Sequence, residues 1–307
     1  MSVSRVTLSD VAAASGVSRS TVSFVLNDAP NQTISVETQA RVRRVAEELG
    51  YVPNGIARAL REGTSRLLVL HVDSGMDGNY ARTFIAGLDD ELGRHGHVLL
   101  VRHGHPSPAD ARQVLDAITP RAVLRLAERY LTGHELDDGG WESGMAANVA
   151  LQIGHLVERG HVRLAVAVPG EGAALAPTRA AFAQEAAQRS GLPPLPVLTV
   201  PPGRAAAHEA LRSFLDAHRD VSAVACFDDG VALRTMAAVQ DLGLDVPGDL
   251  AVIGFDETDY GALVTPALTT LRVDAQTHGR IAARVALGLP TADLVPQPGR
   301  VVVRGST

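Results

Sequence analysis

In the first dozen residues of the chain Leu8, Val11 and Ala12 recur at helical spacing, and Val22, Val25 and Leu26 do so again a turn-length later. Each run gives a helix one apolar stripe. Between them stands Ala-Ser-Gly-Val, where Gly16 can take the positive φ of a tight turn of about three or four residues. Thr7 and Ser18 are placed to cap the two helices. With Ser18 as cap, the first turn of the second helix presents Arg19, Ser20 and Ser23 outward. Those side chains hydrogen-bond to base edges and phosphates, so the face suits a nucleic-acid groove. A third helix, expected over 35–49 with Val42, Val45, Ala46 and Leu49 inward and Gly50 as its stop, completes a small three-helix core.

A Pro-started segment follows, YVPNGIARAL, expected to be a short helix over 53–60. So short a helix is marginal in water and needs a partner to form. Beyond it the pattern changes. Short apolar strands at 67–72, 98–102, 122–126, 163–168, 197–200, 223–227 and 250–255 alternate with helices at 81–92, 109–118, 147–158, 178–190, 205–217 and 231–242. Continuous apolar strands bounded by helices imply parallel sheets buried on both faces, here as two doubly wound lobes. Ligands of such sheets bind beyond the carboxyl ends of the strands, where Asp73, Asp228, Asp229 and Asp256 stand.

Charge agrees with this division. The net charge is −6, yet the residues through Arg66 carry +2 and the remainder −8, as expected of a nucleic-acid-facing head on an acidic body. All 28 basic residues are arginine, which by itself implies no function. Cys226, the single cysteine, lies in an apolar run; it is expected to be an inert buried thiol in a reducing compartment. No signal segment and no membrane-length apolar run is visible, so the expected location is the cytoplasm.

TLSDVAAASGVSRSTVS, YVPNGIARAL, VPGDLAVIGFDETDYGALVTPALTTLRVD and VVVRGST, collinear along the chain, resemble the lactose/galactose repressor (LacI/GalR) family. The resemblance implies an all-α helix-turn-helix headpiece with a hinge helix (1–62, hinge 53–60). It further implies an α/β periplasmic-binding-protein-like domain of two doubly wound lobes for effector binding and dimerisation (66–307). The implied function is a non-enzymatic transcriptional regulator, a repressor that binds a palindromic operator in double-stranded DNA as a homodimer and is gated by a sugar-like molecule. The candidate DNA contacts are then Thr7, Ser18, Arg19, Ser20, Ser23, Phe24 and Asn27, with Ala57, Arg58 and Leu60 in the hinge, where Leu60 matches the leucine that wedges into the minor groove. Phe24 departs from the family, which commonly has arginine there; it would read a thymine methyl or pack. The candidate effector residues are Asp73, Tyr80, Arg179, Asp228, Asp229 and Asp256, with Arg179 and Asp256 implied to contact effector hydroxyls.

A second departure concerns 128–145, a Gly- and acid-rich stretch where the family inserts a further helix and strands. The first lobe is expected to be shortened by roughly 20 residues, less than a βαβ unit. Trp141, in this stretch, is either a hydrophobic anchor or a ring that stacks on ligand. The shortening leaves open an alternative: a DNA-binding regulator with a degenerate sensor, controlled by a protein partner or by abundance. An enzyme or solute receptor would need a phosphate-binding loop, a nucleophile with its base, or a secretion signal, and none is present in the sequence. No cofactor and no metal is expected. The repeated RHGH motif puts His97 and His103 at opposite ends of a strand, about 20 Å apart at ~3.3 Å per residue, too far to share an ion. No membrane is involved, and no heptad tail suggests a tetramer.

Overall fold

The computed structural model describes residues 6–26, 33–51, 65–72, 78–104, 112, 118–126, 139–171 and 175–307. The chain divides into two compact units, one of Met1–Arg66 with Ile118–Arg121 and one of Leu67–Ala117 with Ala122–Thr307. Asn27, Ala57, Arg58, Leu60, Asp73, the hinge at 53–60 and most of the helix expected at 109–118 lie outside the described residues.

In the first unit the local signals act as the sequence predicts. Helix α1 (Leu8–Ser15) starts at a capping box: the Asp10 N–H donates to Thr7 Oγ1, and the Thr7 N–H donates back to Asp10 Oδ2 at 2.7 Å. Gly16 ends it at φ +67°, a conformation open to glycine without strain. Helix α2 (Arg19–Leu26) is capped by Ser18, whose Oγ accepts from the Thr21 N–H at 3.1 Å. Helix α3 (Val36–Glu48) is capped by Ser35. Val11, Ala12, Val22, Val25, Val42 and Ala46 form the core between the three. Leu49 does not join them: it is 39% exposed just past the end of α3, and Tyr51 packs against the cluster after the chain turns at Gly50.

The second unit holds two parallel sheets. In the first lobe β1 (Leu67–Val72), β2 (Val98–His103) and β3 (Ala122–Arg125) run in the order β2-β1-β3, with α4 (Asn79–Arg94) following β1. In the second, β4 (Leu164–Pro169), β5 (Val197–Val200), β6 (Ala223–Cys226) and β7 (Ala251–Ile253) run β5-β4-β6-β7. Helices α5 (Gly139–Glu158) and α6 (Ala176–Arg189) contribute to the core on one face of that sheet, α7 (Arg204–Ala217) and α8 (Asp229–Asp241) to the core on the other. After β8 (Thr270–Arg272) the chain enters α9 (Gln276–Leu287), which packs lengthwise on α4 in the first lobe. It then returns as β9 (Arg300–Val302), antiparallel to β8.

Gly87 and Gly279 permit the α4–α9 contact, since a Cβ on either would lie within 2.1 Å of the opposite helix's carbonyl oxygen. The same pair of helices buries Glu91, which accepts from Arg94 (2.8 Å), Arg280 (3.1 Å) and Arg284 (2.6 Å). The Arg284 hydrogen bond is foremost in pulling its pKa down to about 2.

Two expectations are corrected. The strands are not all buried on both faces: Val98 and Leu100 of β2 are 61% and 37% exposed, and β5 alternates exposed and buried; both are sheet edges with one face left open. The stretch expected as a loop up to residue 146 is helical from Gly139, so the backbone of Trp141 belongs to α5; its side chain lies outside the described residues. Sequence reading also missed β9, where only the antiparallel partner β8 makes Arg300–Val302 a strand.

Candidate functional site

The outer face of α2 is fixed by what lies beneath it. Val22 and Val25 point into the core, which leaves Arg19 and Ser20 exposed and Phe24 at 38% exposure, while Ser23 is half-buried. The Ser18 hydroxyl, besides capping the helix, lies 2.7 Å from Ser20 Oγ and 2.8 Å from Thr21 Oγ1. Thr7 is exposed and engaged in the capping box, whose hydrogen bonds hold the Asp10 carboxyl below its ordinary pKa. Arg44 pairs with Glu48 on the surface of α3, and Arg41 buries its Nε there without a partner. A helix presenting arginine, serine and an aromatic ring beside a capped turn is shaped for hydrogen bonding and apolar contact with base edges.

In the second unit the candidate residues gather where β6 and β7 end. Each of these strands runs out into Phe-Asp, Phe227-Asp228 and Phe255-Asp256, and Arg179 from the first turn of α6 inserts between the two rings. Its guanidinium carbon is 4.5 Å from the Phe227 centroid and 3.6 Å from that of Phe255. This stacking offsets part of the desolvation of a half-buried cation. Burial still lowers its pKa to about 10, opposed by the charges of Asp228 and Asp256. One terminal nitrogen, Nη2, is buried without a hydrogen-bond partner among the described residues. Under it is a cavity of about 10 Å³, room for about one water, lined by Gln152, Ala183 and Cys226 among others. The Cys226 thiol is buried, and burial raises its pKa, the expected inert state.

The three aspartates have different surroundings. Asp228 caps α8, accepting from the Val231 N–H at 2.6 Å. Asp229 has no exposed surface and accepts from the Thr258 N–H (2.7 Å), the Thr258 hydroxyl (3.1 Å) and the Thr270 hydroxyl. It binds the segment after β7 to α8 inside the lobe, a departure from its expected role as an effector contact. Asp256 takes φ +87°, an uncommon conformation for a non-glycine residue that the surrounding contacts must hold. Burial raises its carboxyl pKa to about 7, against the opposing effects of the Tyr80 N–H and Arg179. That N–H is the first link across to α4, so Tyr80 and Asp256 meet, although Tyr80 offers its backbone. The Tyr80 ring faces Phe84 and His278, whose centroids are 6.2 and 6.0 Å away.

Sequence reading missed the clamp residues Phe227 and Phe255, and Gln152, whose Nε2 donates to the carbonyls of Cys226 (2.9 Å) and Gly254 (3.0 Å). The repeated Phe-Asp after an apolar run was a visible signal for the first two. Among the described residues no group of His, Cys, Asp and Glu could hold a metal, and no helix is long and apolar enough to cross a membrane.

A helix-turn-helix unit followed by a two-lobed α/β unit with a polar cluster at its strand ends defines a class, the regulator that carries its own sensor-like domain. Residues 7–54 match the model for bacterial regulatory proteins of the lacI family, and 153–307 match a periplasmic binding protein-like domain. The helix-turn-helix transcriptional regulator GalR of Escherichia coli (strain K12) is 30% identical over 325 aligned positions, covering 95% of this chain and 91% of GalR. The chain belongs to the LacI family of DNA-binding transcriptional regulators. Since the aligned span exceeds the 307 residues of the chain, the relative carries residues that this chain lacks. Among solved structures, the Lac repressor dimer bound to operator and the anti-inducer ONPF superposes with a TM-score of 0.76 at 22% identity, over 98% of this chain and 99% of that one. The CelR–cellobiose complex gives 0.63 at 23%, over 99% and 100%. These two likenesses concern the fold.

Proposed function

We propose that this protein is a cytoplasmic repressor that binds a palindromic operator as a homodimer through α2 and the 53–60 segment, and that a neutral, hydroxyl-rich, sugar-like molecule gates it at the Arg179–Asp256 cluster. Its domains are the head and hinge (1–62) and the sensor (66–307). Arg19, Ser20 and Phe24 would read bases from the outer face of α2, with Ser23 and Asn27 nearby and Thr7 and Ser18 at helix starts. Ala57, Arg58 and Leu60 would act in the minor groove. The operator-bound Lac repressor dimer and the cellobiose-bound CelR, which share the fold, support the reading by analogy.

The observation that carries the effector reading is Arg179. A half-buried guanidinium whose Nη2 has no hydrogen-bond partner among the described residues, clamped by two rings beside two carboxylates, offers a donor next to acceptors, the pairing that sugar hydroxyls match. Asp73, Tyr80, Asp228 and Asp256 would complete the contacts. Because the cavity beneath Arg179 has room only for about one water, the ligand would have to bind on its outer side, between the lobes.

The test has two stages. Selection of binding sites from random duplex DNA should return a two-fold-symmetric sequence. Operator affinity and melting temperature are then measured with hexoses such as galactose, disaccharides such as maltose and cellobiose, sugar phosphates and nucleosides. At least one sugar should shift both, and Asp256→Ala should lose that shift while keeping operator binding. No response across the panel would refute ligand gating and favour control by a protein partner or by abundance.

A further inference from the structure

Helix α4 begins without a cap of its own. Its N-cap residue is Gly78, which makes no side-chain hydrogen bond, so the first-turn N–H groups need acceptors from elsewhere. They find them in the second lobe: the Asn79 N–H donates to the Asp256 carbonyl at 2.7 Å and the Tyr80 N–H to Asp256 Oδ1, 176 residues away in sequence. We propose that Asp256 is an interlobe latch, the N-cap of α4 supplied in trans, and that losing it frees the first lobe to move against the second.

Three independent features fit this role. Gly78 is shaped for the contact, since a Cβ there would stand 2.0 Å from Asp256 Oδ2. Asp256 keeps its positive φ because it is bonded on both sides, its own N–H donating to the Leu271 carbonyl at 2.7 Å. Asn79 reinforces the joint, its Nδ2 donating to the Val273 carbonyl at 2.8 Å, and the exposed Arg82–Asp259 pair at 3.2 Å adds little. A carboxylate at a helix N-terminus also gains from the positive end of the macrodipole.

The latch is held against an opposing force. Asp256 is half-buried near Arg179, Asp228 and Asp229, with Glu257 beside it engaged by Arg272 and Arg304, and desolvation disfavours its charged form. Opening would return solvent to a carboxylate and exchange the α4 N–H groups' acceptors for water, opposed by the Asn79–Val273 bond. If the effector contacts Asp256, as proposed above, it must compete with α4 for the same oxygens; the test of the latch uses no ligand and is separate from that reading.

The experiment is a distance measurement between spin labels on Asp89→Cys of α4 and Gln188→Cys of α6, both exposed, in the full chain; the buried Cys226 thiol does not take label. With Asp256 intact one short-distance population should dominate. Asp256→Ala, which removes the acceptor, and Gly78→Ala, which pushes an unaltered Asp256 away, should each raise the long-distance population several-fold. Asp256→Asn retains an oxygen for the Tyr80 N–H and should keep the short distance, in a protein least at risk of misfolding. A distance distribution unchanged by either alanine substitution, in protein that still melts cooperatively, would overturn the proposal, as would an open distribution for Asp256→Asn.

Discussion

The outer face of α2 and the Arg179–Asp256 cluster are built in opposite ways. On the helix-turn-helix every defining side-chain bond is local: Thr7 with Asp10, Ser18 with Thr21 and Ser35 with Thr38 each span three residues. The cluster depends on bonds spanning 29 residues (Asp229 to Thr258), 41 (Asp229 to Thr270), 176 (Asp256 to Tyr80) and 194 (Asn79 to Val273). A face made by local bonds exists once its helix forms. A site made by distant ones exists only when several elements have docked, so it can also be taken apart by a change in their docking, which suits a sensor.

The contrast can be broken most severely through the long-range charges. Glu91→Ala should destabilise the α/β unit by about 3 kcal/mol, because it leaves Arg280 and Arg284 facing each other at the α4–α9 contact without their carboxylate. Urea melts monitored at pH 7 would read this. Since the folded Glu91 pKa is depressed to about 2 from an ordinary 4.5, its contribution is fully present above pH 4.5 and disappears as the pH falls toward 2. In Glu91→Gln protein that part of the acid dependence should be absent. A mutant with wild-type stability and wild-type acid sensitivity would mean that the helix pair is held by packing alone.

Asp229→Ala comes next. It deprives three donors of their buried acceptor and should cost about 2 kcal/mol, with Asp229→Asn costing less because one oxygen remains. If Asp229→Ala were neutral in stability but altered the response to a sugar, Asp229 would return to the effector contacts among which the sequence reading placed it.

On the local side, Arg19→Ala should relax specificity at about one base position in each half-site, at ~1–3 kcal/mol, measured by competition among operator variants. A uniform loss on all sequences with a shallower salt dependence would make Arg19 a phosphate contact. The smallest effect is expected from Thr7→Ala, which should lower the stability of the headpiece by ~1 kcal/mol through loss of the capping box, visible in a thermal melt. A much larger loss would mean that the headpiece is less locally determined than its hydrogen bonds suggest.

How far each part was legible follows from the same distances. The helix starts at Thr7 and Ser18, the positive φ of Gly16 and the inward stripe of Val11, Val22 and Val42 could all be read from residues a few positions apart. The alternation of strands and helices in the body was equally readable, and so was the clustering of polar residues after β6 and β7. Which of those residues does what was not. Asp228 and Asp229 are adjacent in sequence, yet one caps a helix and the other is enclosed by Thr258 and Thr270.

Sequence alone thus determined the family, the helix-turn-helix with its capped turns and the two-lobed parallel α/β plan, because periodicity and capping are short-range properties of the chain. Only the tertiary structure decided that β2 and β5 are edges, that Arg300–Val302 is a strand, that Phe227 and Phe255 clamp Arg179, and that Asp256 serves α4. The reason is physical. Burial, ring stacking and the supply of acceptors to an uncapped helix depend on which groups meet in space, and a carboxylate in the sequence is the same residue whether it will face water, threonines or the N–H groups of a helix 176 residues away.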